Sequence, residues 1–392
     1  MVLRVNGKVV TPAGVIRQGC VEIDGDRITA VAEYPSVRDG HWILPGFVDM
    51  HTHGGGGHTF TTGDADAARA AAAFHLGHGT TTLLAGLVSS PIELMRAATT
   101  AYAPLVAEGV LAGIHFEGPY LSARRCGAQN PEFLRDPSTR ELAELIELGQ
   151  GAVRMVTIAP ERDGAVAAIE LLTAHRVVAA IGHTDATYEQ TRAALTAGAS
   201  VGTHLFNGVR GMHHRDPGPV VALLEAPHVV CELIADGVHL HDGMLTFAVS
   251  TAGPDRCALI TDAIAAAGMA DGEYELGGQA VTVTAGTARL SAGRNADPDR
   301  NAEPSRNTEP GANTEPGAIA GSTLTMDAAL RHAVDAGMAL VDVARMAATT
   351  PARAIGLGDR VGALRAGLRA DLVVLDDDLN VLRVMRAGSW VE

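Results

Sequence analysis

Pro45-Gly46-Phe47-Val48-Asp49-Met50-His51-Thr52-His53 is an apolar run that ends in two histidines spaced two apart. On a strand, residues i and i+2 point to the same side. His51 and His53 would therefore aim two imidazoles past the C-terminal end of one strand. Neutral imidazole is the commonest metal ligand among side chains. Seven more short apolar runs follow, at 80–85, 111–116, 154–158, 177–181, 200–204, 229–234 and 258–261. Alanine- and leucine-rich stretches of helical spacing, such as 64–78 and 139–148, lie between them. Eight strand-then-helix units predict an α/β fold, a (β/α)8 TIM-like barrel. Active sites of such barrels sit at the C-terminal rim, where the two histidines would be.

Outward from this core, both chain ends read as β-structure. Residues 2–34 alternate apolar and polar around the turn signals Asn6-Gly7 and Asp24-Gly25-Asp26, and 370–375, 381–384 and 390–391 continue the pattern. The expected organisation is a small β-sandwich domain built from residues 1–44 and 358–392, flanking a catalytic barrel at 45–357. Within the barrel, residues 295–318 form a four-fold hexapeptide repeat, NADPDR NAEPSR NTEPGA NTEPGA. It is too poor in large apolar residues to offset its ordering entropy and predicts a flexible insertion without chemistry. The strand-like 279–283 and 288–290 before it suggest an enlarged hairpin.

Composition narrows the partners. The 392 residues carry 30 Lys+Arg against 45 Asp+Glu, a net charge of −15. That balance disfavours nucleic acid and anionic membrane surfaces. With 47% hydrophobic and 19% charged residues the chain can bury a large core. Four scattered cysteines form no CxxC pair, and neither a signal peptide nor an apolar run long enough to span a bilayer is evident, so a cytoplasmic location is expected. Lys8 is the only lysine and lies in an N-terminal strand. Schiff-base catalysis, a phosphate-loop lysine and a carbamylated-lysine metal bridge are thereby disfavoured.

Four more polar groups end the other runs: Glu117, His183, His204 and Asp262. Singly, each reads as readily as a capping carboxylate or a satisfied core histidine. Six ligand-type residues at one barrel rim point instead to metal-assisted chemistry. A divalent ion acidifies bound water and polarises a carbonyl, and a nearby carboxylate can shuttle the proton.

These residues, with HFEGPYL at 115–121, IGHT at 181–184, HLFN at 204–207, RDPG at 215–218, IADGVH at 234–239, TDA at 261–263 and GSTLTM at 321–326, resemble the N-acetylglucosamine-6-phosphate deacetylases of the amidohydrolase superfamily. The resemblance covers nearly the whole chain outside the repeat. It implies hydrolysis of the acetamide of N-acetyl-D-glucosamine 6-phosphate to glucosamine 6-phosphate and acetate, by metal-bound hydroxide with Asp262 as general base and acid. It implies one or two divalent ions per subunit, zinc first, with iron, manganese or cobalt as alternatives. His51, His53 and Glu117 would hold one ion, and Glu117, His183 and His204 the other. The sugar phosphate would be bound by Ala128, Asn207, Gly208, Arg215 and His239, with His239 reaching across a homodimer interface. One position departs from the pattern: Gln129 stands where the family usually has a histidine that donates to the substrate carbonyl. Glutamine can donate but cannot become charged, and the loss at a developing oxyanion is worth about tenfold to a thousandfold in rate. Rival expectations are another amidohydrolase, an N-acyl amino-acid deacylase or nucleobase deaminase, and a non-catalytic scaffold on the same fold.

Overall fold

A computed structural model describes residues 2–35, 40–291 and 317–392. Eight parallel strands form one sheet in sequential order. They are Phe47–Asp49, Thr80–Leu87, Gly113–Glu117, Val153–Ile158, Val178–Ile181, Val201–Gly202, Val230–Ile234 and Cys257–Ile260. All eight apolar runs therefore become barrel strands. Nearly every residue in them is buried, because strands covered by helices outside and packed inside have no solvent face. Most of the helices also follow the spacing: Ala65–Gly77 begins at Asp64, whose carboxylate accepts from the backbone N–H groups of Asp66 and Ala67 (2.8 and 3.0 Å).

No backbone ladder joins the eighth barrel strand to the first. Four bonds near the rim close the ring there instead. Thr261 donates to the Asp49 carboxylate through its hydroxyl (2.6 Å) and its N–H (3.3 Å). The N–H of Asp262 donates to the His51 carbonyl (2.9 Å) and that of His53 to the Ala263 carbonyl (2.7 Å).

The chain ends meet as expected. Leu3–Thr11, Gly14–Asp24, Arg27–Glu33 and Trp42–Pro45 join Leu372–Leu375, Val381–Arg386 and Ser389–Trp390 in one seven-stranded mixed sheet. Its buried residues, Val21, Ile23, Ile43, Leu372 and Met385 among them, form a core separate from that of the barrel. The turn expected at Asp24-Gly25-Asp26 links the second and third strands. The turn expected at Asn6-Gly7 is not formed. The first strand runs through it with a bulge and reverses only at Pro12-Ala13. Gly7 is needed for close approach, since a Cβ there would come within 2.3 Å of the His41 carbonyl oxygen.

Gly272–Leu276, Gln279–Thr284 and Thr287–Leu290 form a three-stranded antiparallel sheet, which absorbs the expected hairpin. The flexible insertion expected at 295–318 lies, but for its last two residues, outside the described residues.

Candidate active site

The strand ends converge. His183, His204 and Asp262 each leave a strand with a positive φ (+46°, +25° and +49°). Left-handed backbone costs a non-glycine residue of order 1 kcal/mol or more. At each of these corners the chain turns sharply and delivers the side chain to the barrel mouth. The groups meet at a hollow of about 350 Å³ lined by His53, Glu117, His183, His204 and Asp262, with His51 fully buried behind them.

Glu117 is the hub. Its Oε1 lies 3.0 Å from His183 Nε2, 2.9 Å from His204 Nε2 and 3.5 Å from His51 Nε2, and its Oε2 lies 3.1 Å from His53 Nε2. Asp262 Oδ1 is 3.3 Å from His53 Nε2 and 3.5 Å from His51 Nε2. Two clusters of metal-ligand type result, His51–His53–Asp262 and Glu117–His183–His204. Glu117 also reaches the first cluster, as the sequence-derived ligand sets require.

The electrostatics are those of a cation site. Three of the four imidazoles have an acceptor behind the hollow for Nδ1–H. His51 donates to Glu232 Oε2 (2.9 Å), His53 to the Gly86 carbonyl (3.0 Å) and His183 to the Arg125 carbonyl (2.9 Å). Their Nε2 atoms, and that of His204, are thereby left facing the hollow. His51 and His53 Nε2 stand 3.2 Å apart, and those of His183 and His204 3.0 Å apart. Neutral rings at such distances would set lone pair against lone pair, so without an ion the cluster takes up protons in its place, and a divalent ion suits the deprotonated donor set. Burial alone would raise the Glu117 carboxyl, but His51, His183 and the bonds from His183 and His204 bring it well below the usual range. Burial would lower His53; hydrogen bonds with Asp262 and Glu117 raise it to about 9.

Gln129 is buried beside the hub. Its Oε1 accepts the Ser89 N–H (2.7 Å), which fixes the amide so that its NH2 donates to Glu117 Oε2 (2.6 Å). Ala128, Asn207, Gly208 and His239 also line the hollow, so His239 reaches it from within the same chain. His239 Nδ1–H donates to Asp236 Oδ2 (2.7 Å). Arg215 is not brought there. It is exposed on the loop, with its Nη1 beside His214 Nε2 (2.7 Å). Arg125, which the sequence did not single out, lines the hollow.

Sequence reasoning also missed three buried groups. Glu232 is fully buried, and its Oε2 accepts both His51 Nδ1–H and the His204 backbone N–H (3.1 Å). A lone carboxylate inside the apolar Val230–Ile234 strand is costly unless partnered, and that was its signal. Asp49, pushed up to about 7 by burial against the bonds from Thr261, belongs to the ring closure. His115 stacks edge-on against His51 at 4.6 Å, and burial together with His51 holds it well below the usual histidine range.

The sequence pattern of the amidohydrolase family matches residues 42–391. The chain belongs to the amidohydrolase family. This amidohydrolase is 45% identical to the N-acetyl-D-glucosamine-6-phosphate deacetylase of Mycobacterium smegmatis, a mutant of which was solved in complex with N-acetyl-D-glucosamine-6-phosphate. The match has a TM-score of 0.89 and covers 100% of this chain and 98% of that one. It is 32% identical to an N-acetylglucosamine-6-phosphate deacetylase of Lysinibacillus sphaericus, over 98% of this chain and 96% of the relative. It is 34% identical to an N-acetylgalactosamine-6-phosphate deacetylase of Escherichia coli, over 97% of each chain. Among the described residues no helix is long and apolar enough to cross a membrane.

Proposed function

We propose that this amidohydrolase hydrolyses the acetamide of N-acetyl-D-glucosamine 6-phosphate, releasing acetate and glucosamine 6-phosphate. The observation that carries the reading is the convergence of His51, His53, Glu117, His183, His204 and Asp262 on one hollow. A divalent ion, when bound by these residues, supplies Lewis acidity and acidifies water. Zinc suits this nitrogen and oxygen donor set, and iron, manganese and cobalt are alternatives.

The remaining chemistry falls to the chain's own groups. Burial would raise the Asp262 carboxyl, but His51 and His53 keep it below its ordinary range, so it enters the reaction ionised. It takes a proton from the attacking water and returns it to the departing amine. Gln129 holds one oxygen of Glu117 and stands beside the position of the acetamide carbonyl. Asn207, Gly208 and His239 receive the phosphate, with Arg125 supplying positive charge from the same wall. Arg215 contributes only if a homodimer carries it to a neighbour's hollow.

A second reading, the galactosamine epimer as substrate, draws on the 34% identical Escherichia coli relative. Acetate release from N-acetylglucosamine 6-phosphate, N-acetylgalactosamine 6-phosphate and unphosphorylated N-acetylglucosamine tests both. The reading expects the first to be turned over fastest. Equal rates on the unphosphorylated sugar would overturn phosphate recognition.

A further inference from the structure

A second concave site lies at the opposite end of the barrel. It is a cavity of about 80 Å³ where the N-terminal strand ends meet the terminal sheet. Arg154, Arg360, Arg369 and Arg386 all line it. Arg154 comes from the start of Val153–Ile158, Arg360 from the segment after the last helix, and Arg369 and Arg386 from either side of the Leu372–Leu375 strand.

Four guanidinium groups share one carboxylate. Among the described residues, Arg369 makes an ion pair with Asp371 (2.5 Å), and the other three make none. Arg386 donates instead to the Gly109 and Val110 carbonyls. Burial, with a smaller push from Arg369, lowers its pKa, although Asp371 opposes the shift. The Nε–H of Arg154 is buried without an acceptor among the described residues. Room is made for that side chain: a Cβ on Gly113 would come within 2.0 Å of Arg154 Cγ.

Arg360 is exposed and the other three are half-buried, so water screens part of their repulsion, and an anion on this concave wall would relieve the rest. The four cations cluster in a chain whose net charge is −15. A single water needs only about 10–15 Å³ of such space, so the cavity admits something larger. Guanidinium forks match tetrahedral oxyanions through paired N–H donors. We propose that this cavity is a binding site for a phosphate-sized oxyanion, free or as the head of a small monoester, which ties the barrel floor to the terminal sheet.

The test compares the metal-loaded wild-type protein with Arg154→Gln/Arg360→Gln, and with Arg360→Gln alone should the double variant fold poorly. Thermal unfolding and titration calorimetry are run with inorganic phosphate, with glycerol phosphate, and with chloride at matched ionic strength. The active-site hollow is the same in all these proteins, so the difference between them reads the second cavity. The wild type should show a phosphate-dependent rise in Tm that the variants largely lose, and a binding event weakened on the order of tenfold or more. Basal turnover should be unchanged. A response to inorganic phosphate alone identifies the free ion, and a response to both identifies the monoester head as a ligand too. The proposal is overturned if wild type and variants respond to phosphate alike, or if chloride reproduces the rise.

Discussion

Replacing Glu232 by glutamine keeps the shape of a fully buried side chain and removes its charge. In the wild type one oxygen takes the His51 Nδ1–H at 2.9 Å and the His204 N–H at 3.1 Å. A hydrogen bond to a charged acceptor is worth about 1.5–3 kcal/mol, against about 0.5–1.5 for a neutral one. The variant therefore loses roughly 1–1.5 kcal/mol of support for the His51 ring in its ligating orientation. At about 1.4 kcal/mol per decade, that is on the order of tenfold in metal affinity, within the range known for residues that orient a ligand. The loss should fall mainly on the cluster containing His51 and His53, because Glu117–His183–His204 keeps its side-chain contacts. Competition with a graded set of chelators, read by elemental analysis, should show the bound ion content dropping first at one of the two clusters. Wild-type affinity and stoichiometry in Glu232→Gln would refute the assignment of this carboxylate as the support of His51.

Three further outcomes follow from the same geometry. Asp262→Asn should bind substrate and lower kcat by about a hundredfold to ten-thousandfold, read by acetate release, because the amide cannot carry the proton. Gln129→Glu places a second carboxylate where an amide now sits 2.6 Å from Glu117; it should change metal affinity and shift the pH–rate profile, whereas Gln129→His should retain metal. Asp327 is driven down to about 2: burial would raise it, but hydrogen bonds from His78 and Thr325 and the charge of Arg331 prevail. Its unfolded value is near 3.9, so its contribution of about 2.6 kcal/mol is present above pH 4 and is lost as pH falls toward 2. Asp327→Asn should accordingly lower Tm at pH 7, with the gap to wild type closing between pH 4 and 2. A gap that stays constant over that range would contradict the pairing.

The barrel was legible because each of its strands is buried on both faces and so reads as a short apolar run. The rim groups were legible because each stands directly after such a run. What escaped lay where direction matters more than sequence spacing. Asn6-Gly7 has the composition of a turn, yet pairing with the second strand carries the chain straight through it. Arg125 sits in the segment after Glu117, where no periodicity says which way a side chain points. Arg215 was assigned from the family resemblance, whereas its spacing alone reads as a solvated loop charge, and it is exposed here. Gln129 lines the hollow, but that its amide would be held between the Ser89 N–H and Glu117 was not readable from the sequence.

The join between the first and eighth barrel strands carries a dynamic consequence. Cooperative protection of backbone amides comes from continuous ladders, and at this seam a few isolated bonds replace one. The amides of His53 and Asp262 are two of those bonds. In metal-free protein they should exchange with deuterium sooner than amides of the neighbouring strands, and a bound cation should slow them. The staves that carry the reactive groups would then be the ones that ion binding cinches, while the rest of the cask holds its shape unaided.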